Sequence, residues 1–197
     1  MIRQLLLAAS LGFFASAPSY SAEAILAGGC FWCIEKDFEN VEGVTAVMSG
    51  YTGGTNTNPT YKNHTKFGHR EAVRVVFDEG RISYRQLLDI FWRTVDPTDA
   101  GGQFCDRGLS YTTAVYVSGA DQKEVAQASR AAAEKSLGQK IVTEILPVEA
   151  FTPSEDYHQD YARKNPIRYN FYRRSCGRDR TVKKLWGKQA YTGVAGR

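Results

Sequence analysis

The chain has 197 residues, of which 43% are hydrophobic and 23% are charged. This composition is that of a globular protein and excludes a disordered one. The length allows one domain with a core large enough to be stable without disulfides or a structural metal. The net charge of +4 is modest. Basic residues interleaved with aromatic rings become frequent after residue 163, but no nucleic-acid-binding motif accompanies them, so we expect a solvated surface and no nucleic-acid partner.

The first 24 residues have the pattern of a secretory signal. Arg3 is followed by an apolar run over residues 5–17 without a further charge. The run is too short for a transmembrane helix, so no stable membrane anchor is expected. Small residues allow cleavage after Ser21 or after Ala24. The pattern predicts a periplasmic or secreted protein.

A glycine pair then joins a predicted strand to a predicted helix. The apolar run over residues 24–27 predicts the strand, Gly28 and Gly29 form the turn, and residues 31–40 predict the helix. Cys30 is therefore expected at the helix N-terminus, where free backbone N–H groups and the helix dipole favour an anion. A thiolate is such an anion, and it is the nucleophilic form of cysteine.

Other interpretations of this cysteine remain open. A lone cysteine beside two aromatic rings is usually part of a core. The C-x-x-C spacing of Cys30 and Cys33 suits a redox pair or half of a zinc site. Zinc is the weaker alternative, because Cys105 and Cys176 are each isolated in the sequence. In an oxidising compartment the four cysteines could also form two structural disulfides.

Further along the chain, helix and strand signals alternate. Strands are predicted at residues 44–50, 71–78, 111–117 and 141–148, and helices at residues 83–94, 121–138 and 152–165. Ser83 and Gln86 form a capping box, and Asp121 is the expected cap of the next helix. Pro153 is expected at the first position of the last helix, and Pro166 is expected to end it.

This order predicts an α+β fold with a ferredoxin-like βαββαβ core, a helix-strand-helix extension and long irregular loops. Residues 25–197 would form this single domain, with a basic C-terminal tail. A doubly wound α/β sheet is the second choice. It needs helical crossovers between its strands, and residues 50–70 show no helical period. Long irregular loops in a compact domain tend to be functional, and two are predicted here, at residues 50–69 and 96–109.

Glu71 is a candidate general acid. Side chains alternate across a strand, so Glu71 shares a face with Val73, Val75 and Phe77. That face is apolar, and burial would keep the carboxyl protonated and able to donate a proton. The alternative is that Glu71 lies past the sheet edge, in water, with an ordinary pKa.

Other polar residues give weaker signals. Tyr61 and Tyr111 each flank a glycine-rich loop, where a tyrosine is usually a packing residue, and Asp106 is most simply a turn residue. No metal site is predicted, because no partner at helical or strand spacing accompanies any of the histidines, which are His64, His69 and His158.

A series of short motifs occurs along the chain in a particular order. They are GGCFW at 28–32, GYTGG at 50–54, NPTY at 58–61, GHREAV at 68–73, DPT at 96–98, DRG at 106–108 with Tyr111, YHQDY at 157–161 and KNP at 164–166. Together they resemble the A-type peptide methionine sulfoxide reductases, from about Ile25 to Pro166. The ordered set is specific, although no single motif would be. The α/β fold of that family agrees with the predicted core.

The resemblance implies an enzyme that reduces methionine S-sulfoxide, in proteins or free, without a bound cofactor. Cys30 would attack the sulfoxide sulfur, Phe31 and Trp32 would hold the methyl group, and Glu71 would protonate the oxygen. The positions implied to assist are Tyr61 and Tyr111, which would hydrogen-bond the oxygen, and Asp106, which would support the site.

The resemblance also implies that Cys30 becomes a sulfenic acid, which a second thiol condenses into a disulfide. In many relatives that thiol lies in a short glycine-rich tail just beyond the Asn-Pro motif, whereas Cys176 lies ten residues after Pro166. Cys33 and Cys105 are the other candidates. We favour Cys176, because a mobile tail could reach Cys30 without straining a helix, and closure within the C-x-x-C pair is the competitor.

The implied setting is oxidative stress, with repair of proteins or peptides that contain methionine sulfoxide. A thioredoxin-like dithiol would supply the reducing equivalents, and the enzyme would be a monomer. Two other functions compete: a thioredoxin-like dithiol–disulfide oxidoreductase that uses Cys30 and Cys33, and a non-enzymatic binding module. Trp32 and Glu71 argue against the first, since disulfide exchange needs no proton donor to a sulfoxide oxygen.

Overall fold

The computed structural model describes residues 21–197, so most of the predicted signal segment lies outside the described residues. The strands are β1 Ser21–Gly28, β2 Val44–Thr52, β3 Arg70–Asp78, β4 Gly102–Gln103, β5 Asp106–Arg107, β6 Thr113–Val117, β7 Glu144–Pro147 and β8 Phe151–Pro153. The helices are α1 Phe31–Phe38, α2 Tyr84–Trp92, α3 Ala120–Leu137, α4 Tyr161–Lys164, α5 Pro166–Cys176 and α6 Arg178–Trp186. Within residues 21–197, no helix combines the length and the apolar character that crossing a bilayer requires.

The main sheet has six strands in the order β7-β6-β1-β3-β2-β8. Its central strands β6, β1, β3 and β2 pair with one another in antiparallel fashion. That order, with α1 and α2 as the connecting helices, is the split βαβ arrangement of a ferredoxin-like core. The predicted fold class is therefore confirmed, and β7 joins the edge of the sheet parallel to β6.

Local sequence signals account for the helices that cover this sheet. The Ser83 hydroxyl accepts a hydrogen bond from the Gln86 N–H, and the Gln86 side chain accepts one from the Ser83 N–H, so the capping box forms as predicted. The apolar face of α2 is fully buried in the main core. Trp92 Nε1 donates to Ser129 Oγ at 2.8 Å, which joins α2 to α3.

The prediction of one long helix over residues 152–165 is wrong. Phe151–Pro153 forms the edge strand β8 beside β2, where a proline that lacks an N–H is tolerated. Only residues 161–164 are helical in the second half of the segment, and Pro166 begins α5 instead of ending a helix. Both prolines occupy positions that suit a residue without an N–H.

Other predicted boundaries also differ. The cap of α3 is Gly119, and Asp121 lies in the first turn of that helix. The strand predicted at residues 141–148 is reduced to β7, residues 144–147. The glycine-rich loop over residues 96–109 contains the short hairpin formed by β4 and β5.

The basic C-terminal segment is folded and is not a tail. It forms α5 and α6, and while most of its cationic side chains are exposed, Arg173 and Arg178 are buried. Asp37 of α1 is also buried; it accepts hydrogen bonds from Arg173 Nη2 at 3.1 Å and from Arg197 Nη2 at 2.6 Å. The expectation of a fully solvated basic surface is therefore wrong for Arg173 and Arg178, because the buried Asp37 carboxylate on α1 pairs with both of them.

Candidate active site

The strand-to-helix turn positions Cys30. β1 ends at Gly28, α1 begins at Phe31, and Cys30 is the residue before the first helical turn. Gly29 has a φ of +84°, and a Cβ there would lie 2.6 Å from the Cβ of Gln103. Only glycine fits such a backbone and such close packing, so the glycine pair brings Cys30 to the end of the sheet.

A small pocket of about 50 Å³ opens at Cys30. Its lining side chains are Cys30, Phe31, Trp32, Tyr61, Glu71, Asp106, Tyr111 and Tyr172. The structure thus brings together the predicted nucleophile, acid, aromatic residues and supporting polar residues. The remaining lining residue, Tyr172, was not among the residues predicted from the sequence.

Glu71 is buried at the start of β3, with 2% of its surface exposed. It lies on the buried face of the strand and not in water past the sheet edge. Its Oε2 accepts the Phe31 N–H at 3.0 Å. Burial raises the pKa of Glu71 to about 8, although the Phe31 N–H opposes the shift. The carboxyl is therefore mostly protonated at pH 7.

A histidine that sequence reasoning set aside lies against this carboxyl. His64 Nε2 is 3.7 Å from Glu71 Oε1. Burial lowers the pKa of His64, so the imidazole is neutral at pH 7. A neutral ring next to Glu71 leaves the protonated carboxyl without a competing cation.

The two thiols of the C-x-x-C motif are free and buried together. The Cys33 N–H donates to the Cys30 carbonyl at 3.1 Å, so Cys33 lies one turn into the helix. Burial and the hydrogen bond to Cys33 raise the pKa of Cys30 well above its usual range. The hydrogen bond from Cys30, with Arg178 and Arg173, lowers the pKa of Cys33 to about 7.

These buried thiols titrate as one pair, so each ionisation belongs to the pair and not to one sulfur alone. The sequence-based expectation was that the helix terminus would ionise Cys30. In the structure, the first N–H of α1 is donated to Glu71 instead. Burial then outweighs the helix dipole at the Cys30 sulfur.

Two rings of the pocket are held rigidly. The Trp32 ring is stacked on Tyr161, with centroids 3.7 Å apart and planes within 6°. Trp32 Nε1 donates to His158 Nδ1 at 3.1 Å. The Phe31 ring lies 5.1 Å from the His158 ring. An apolar wall preset in this way can receive a methyl group without ordering side chains first.

Hydroxyl groups and the Asp106 carboxyl group also line the pocket. Burial raises the pKa values of Tyr61 and Tyr111, so both keep their protons and can donate hydrogen bonds. Asp106 belongs to the β4–β5 hairpin, and its Oδ2 accepts the Tyr172 hydroxyl at 2.5 Å. Burial raises the pKa of Asp106. The pocket therefore combines hydrogen-bond donors with an aromatic wall.

The other two cysteines form a disulfide next to this pocket. Cys105 and Cys176 are bonded, with Cα atoms 5.0 Å apart. Their sulfurs and a carboxylate oxygen of Asp106 lie within 4.8 Å of one another. The premise of a mobile tail is corrected here, because Cys176 is the last residue of α5 and its sulfur is bound to Cys105.

The residues that sequence reasoning missed are Tyr172, His64 and His158. Tyr172 lies in the segment interpreted as a basic surface, with no local signal to separate it from its neighbours. His158 was part of a quoted motif, but its bond to Trp32 spans 126 residues. The relevant signal is tertiary, and one sequence does not contain it.

Comparisons with known proteins agree on one family. The sequence model of that family, described as peptide methionine sulfoxide reductase, matches residues 22–190. Peptide methionine sulfoxide reductase MsrA 2 of Rhizobium meliloti (strain 1021) is 54% identical over 181 residues, which cover 92% of this chain and 90% of the relative.

Solved structures agree with the sequence comparison. Methionine sulfoxide reductase A of Corynebacterium diphtheriae matches with a TM-score of 0.69 at 31% identity, covering 75% of this chain and 76% of that one. Mxr1 from Saccharomyces cerevisiae, solved in complex with Trx2, shares the fold with a TM-score of 0.52 at 24% identity, over 76% of this chain and 91% of that one.

A pair of thiols beside a proton donor is the kind of site found in oxidoreductases that act on sulfur. The chain belongs to the peptide methionine sulfoxide reductase family, and it reduces methionine sulfoxide. The motifs noted in the sequence stopped at Pro166, whereas the family match extends to residue 190. Helices α5 and α6 are therefore part of the family domain.

Proposed function

We propose that this chain repairs oxidised proteins outside the cytoplasm, and that Cys30 and Glu71 carry out the reduction of the S epimer of methionine sulfoxide. The observation that supports these roles best is the protonated, buried Glu71 in the same small pocket as the Cys30 thiol. A nucleophile and a proton donor are needed at opposite ends of an S–O bond, and the pocket contains one of each.

The first step is attack of the Cys30 sulfur on the sulfoxide sulfur. Glu71 gives its proton to the sulfoxide oxygen, and the hydroxyls of Tyr61 and Tyr111 stabilise the charge that develops there. Trp32 packs against the substrate methyl group, whose burial contributes on the order of 1 kcal/mol. The oxygen, carrying the proton from Glu71, then moves to the Cys30 sulfur as the bond between the two sulfurs breaks, so methionine leaves and Cys30 becomes a sulfenic acid. The Cys30 thiol proton passes to solvent, and Glu71 regains a proton from solvent.

The second step closes a disulfide, and we assign the resolving role to Cys33. Residues three apart on a helix lie within the ~4.4–6.8 Å between Cα atoms that a disulfide spans. Cys33 is free and hydrogen-bonded to Cys30, whereas Cys176 is bonded to Cys105 at the end of a helix. Attack of Cys33 on the sulfenic sulfur forms the Cys30–Cys33 disulfide and releases water.

A dithiol protein then reduces the disulfide. The yeast protein Mxr1 has been solved in complex with Trx2, which supports a thioredoxin-like reductant for this chain. We propose that the enzyme acts as a monomer on peptides and proteins that contain methionine sulfoxide, and that it needs no bound cofactor because the cysteine thiols supply the electrons.

The proposed location rests on the apolar N-terminal segment. Cleavage after Ser21 agrees better with the fold than cleavage after Ala24. Ala24 is buried and opposes Val75 in the β1–β3 pair. Loss of residues 21–24 would remove half of β1. The mass of the secreted protein measures the cleavage site directly.

Counting thiols after one turnover tests the resolving role. Without a reductant, the wild-type enzyme is expected to lose two thiols for each methionine formed. Cys33→Ser is expected to form one methionine and to stop at a Cys30 sulfenic acid, which a 1,3-dicarbonyl reagent traps. The control Cys105→Ser/Cys176→Ser is expected to behave as the wild type. Loss of two thiols in Cys33→Ser would show that another cysteine resolves.

Substrate choice separates reductase activity on sulfoxides from general disulfide exchange. We expect turnover of the S epimer of a methionine sulfoxide peptide, at least 100-fold less for the R epimer, and little reduction of a model disulfide. The reason is that the aromatic wall has to receive the methyl group while the hydroxyl and carboxyl donors bind the oxygen, and only one epimer at the sulfur can satisfy both at once. Activity on the disulfide alone would favour a thioredoxin-like oxidoreductase.

A further inference from the structure

The pocket at Cys30 has room for only the reacting end of a substrate. Its volume of about 50 Å³ accommodates roughly four groups the size of a water molecule, at ~10–15 Å³ each. The methyl group, the sulfur, the oxygen and one methylene group of a methionine sulfoxide side chain fill this space. The rest of a peptide substrate must therefore lie on the surface around the pocket.

A line of aromatic rings leads from the pocket onto that surface. Tyr61 lines the pocket, and 41% of its surface is exposed. The centroid of its ring is 4.5 Å from that of the buried His158 ring, and the Tyr157 centroid lies 4.2 Å from the same ring. Tyr157 is 58% exposed. We call Tyr61, His158 and Tyr157 the aromatic ridge.

His158 also joins the aromatic ridge to the wall of the pocket. The ring centroids of Phe31 and Trp32 lie 5.1 Å and 5.6 Å from that of His158. One buried ring thus separates the exposed Tyr157 from the rings that are proposed to receive the substrate methyl group. In an extended peptide, side chains two residues apart project to the same side and are roughly 7 Å apart. A close neighbour of methionine sulfoxide can therefore reach Tyr157 while the sulfoxide occupies the pocket.

Hydrogen bonds hold the aromatic ridge in place. His158 Nδ1 accepts the Trp32 Nε1–H at 3.1 Å, which fixes the orientation of the ring between the two tyrosines. The Glu155 carboxylate accepts the backbone N–H of Tyr61 at 3.0 Å and the hydroxyl of Tyr51 at 2.9 Å. It therefore ties the loop before β3 to strand β2 and to the segment before α4. A surface fixed in this way binds an apolar side chain without first having to order its own groups.

The position of these two exposed tyrosines distinguishes them from ordinary surface residues. Large apolar side chains that are exposed singly are common on protein surfaces, and Leu109, Ile167 and Phe171 are further examples in this chain. Tyr61 and Tyr157 instead pack against the same buried ring beside the catalytic pocket. A substrate segment that crosses this region would cover both rings, and removing apolar surface from water favours binding.

We propose that the aromatic ridge is a subsite for a large apolar side chain next to methionine sulfoxide in the substrate polypeptide, and that Tyr157 is its specificity-determining residue. This proposal rests on the proposed placement of the sulfoxide in the Cys30 pocket. The subsite selects among oxidised methionines by their neighbours, since a polar neighbour gains less from covering aromatic rings. Tyr157 lies outside the pocket lining, so its contact with the substrate is the same before and during the reaction. Such a contact lowers KM and leaves kcat nearly unchanged.

Peptides that differ in a single residue test the subsite. The reference is a blocked pentapeptide with the S-sulfoxide of methionine at its centre and glycine at the other positions, and each of four further peptides carries phenylalanine in place of one glycine. With the wild-type enzyme, phenylalanine in at least one position should lower KM threefold or more. Equal kcat/KM values for all five peptides would overturn the subsite and leave the proposed function intact. An enzyme that reduces none of the five would overturn the proposed function as well.

Variants of Tyr157 assign the preference to this residue. Tyr157→Ser should lose the preference for phenylalanine, with kcat/KM values for the five peptides within twofold of one another, whereas Tyr157→Phe keeps the ring and should retain the preference. Ile167→Ser is the matched control, because Ile167 is a large apolar residue that is 87% exposed and does not line the pocket; it should also retain the preference. A preference that survives in Tyr157→Ser would overturn the proposal. The wild-type comparison stands even if a variant does not fold.

Discussion

Glu71→Gln is expected to lower kcat at pH 7 by ~10²–10⁴-fold, the range that general acid catalysis contributes. Glutamine keeps the shape of the side chain but has no acidic proton, so the sulfoxide oxygen would leave without protonation. The methyl group would still pack against Trp32, and KM should stay nearly unchanged. Steady-state kinetics with an S-sulfoxide peptide measures both constants, and an unchanged kcat would remove Glu71 from the mechanism.

The pH profile adds a sharper criterion for the same carboxyl. Because burial raises the pKa of Glu71 to about 8, wild-type kcat should fall as pH rises through this value. The kcat of Glu71→Gln should not show this fall. Its kcat should come closer to the wild-type value at lower pH, where solvent protons substitute for the acid. The matched control is Glu35→Gln: Glu35 is also buried, its pKa is raised to about 7, and it does not line the pocket.

The pH dependence of stability gives an independent test of the raised Glu71 pKa. A carboxyl whose pKa is higher in the folded state stabilises the protein fully below its unfolded pKa, and this stabilisation is lost as pH rises to the folded pKa. For Glu71 the window extends from about 4.5 to about 8. In urea unfolding, Glu71→Gln should therefore depend less on pH than the wild type across this window.

Cys30→Ser is expected to form no methionine, even with excess dithiol and long incubation. A serine hydroxyl is a weak nucleophile without an activating base, and its oxygen cannot accept the sulfoxide oxygen and return as a thiol. Methionine formed per enzyme, measured by chromatography, is zero for Cys30→Ser and one for Cys33→Ser without reductant. The pair of variants separates the attack from the resolution step.

This variant also distinguishes the enzyme from a binding module. A protein that only recognises oxidised methionine needs no nucleophile, so Cys30→Ser would retain its protective effect in cells. We expect that effect to disappear. Full protection by a Cys30→Ser protein that forms no methionine would favour the binding function.

Short-range rules account for what the sequence by itself determined. The strand, glycine turn and helix around Cys30, the Ser83 capping box and the alternation that buries Glu71 depend on residues a few positions apart. The split βαβ order followed from the sequence of elements and from the absence of a helical period in residues 50–70. The motifs then indicated the family, because their order is specific.

Only the tertiary structure decided which distant groups surround the thiols. Tyr172 and the Cys105–Cys176 disulfide lie in or reach a segment whose local pattern, basic residues interleaved with aromatic rings, did not show which groups it contacts. A buried arginine and an exposed arginine have the same sequence signal, and burial is decided by whether a distant carboxylate such as Asp37 meets it. The charge of a thiol depends on burial and on distant groups, so the sequence predicted Cys30 as the nucleophile, whereas burial against α4 and α5 raises the pKa of its thiol.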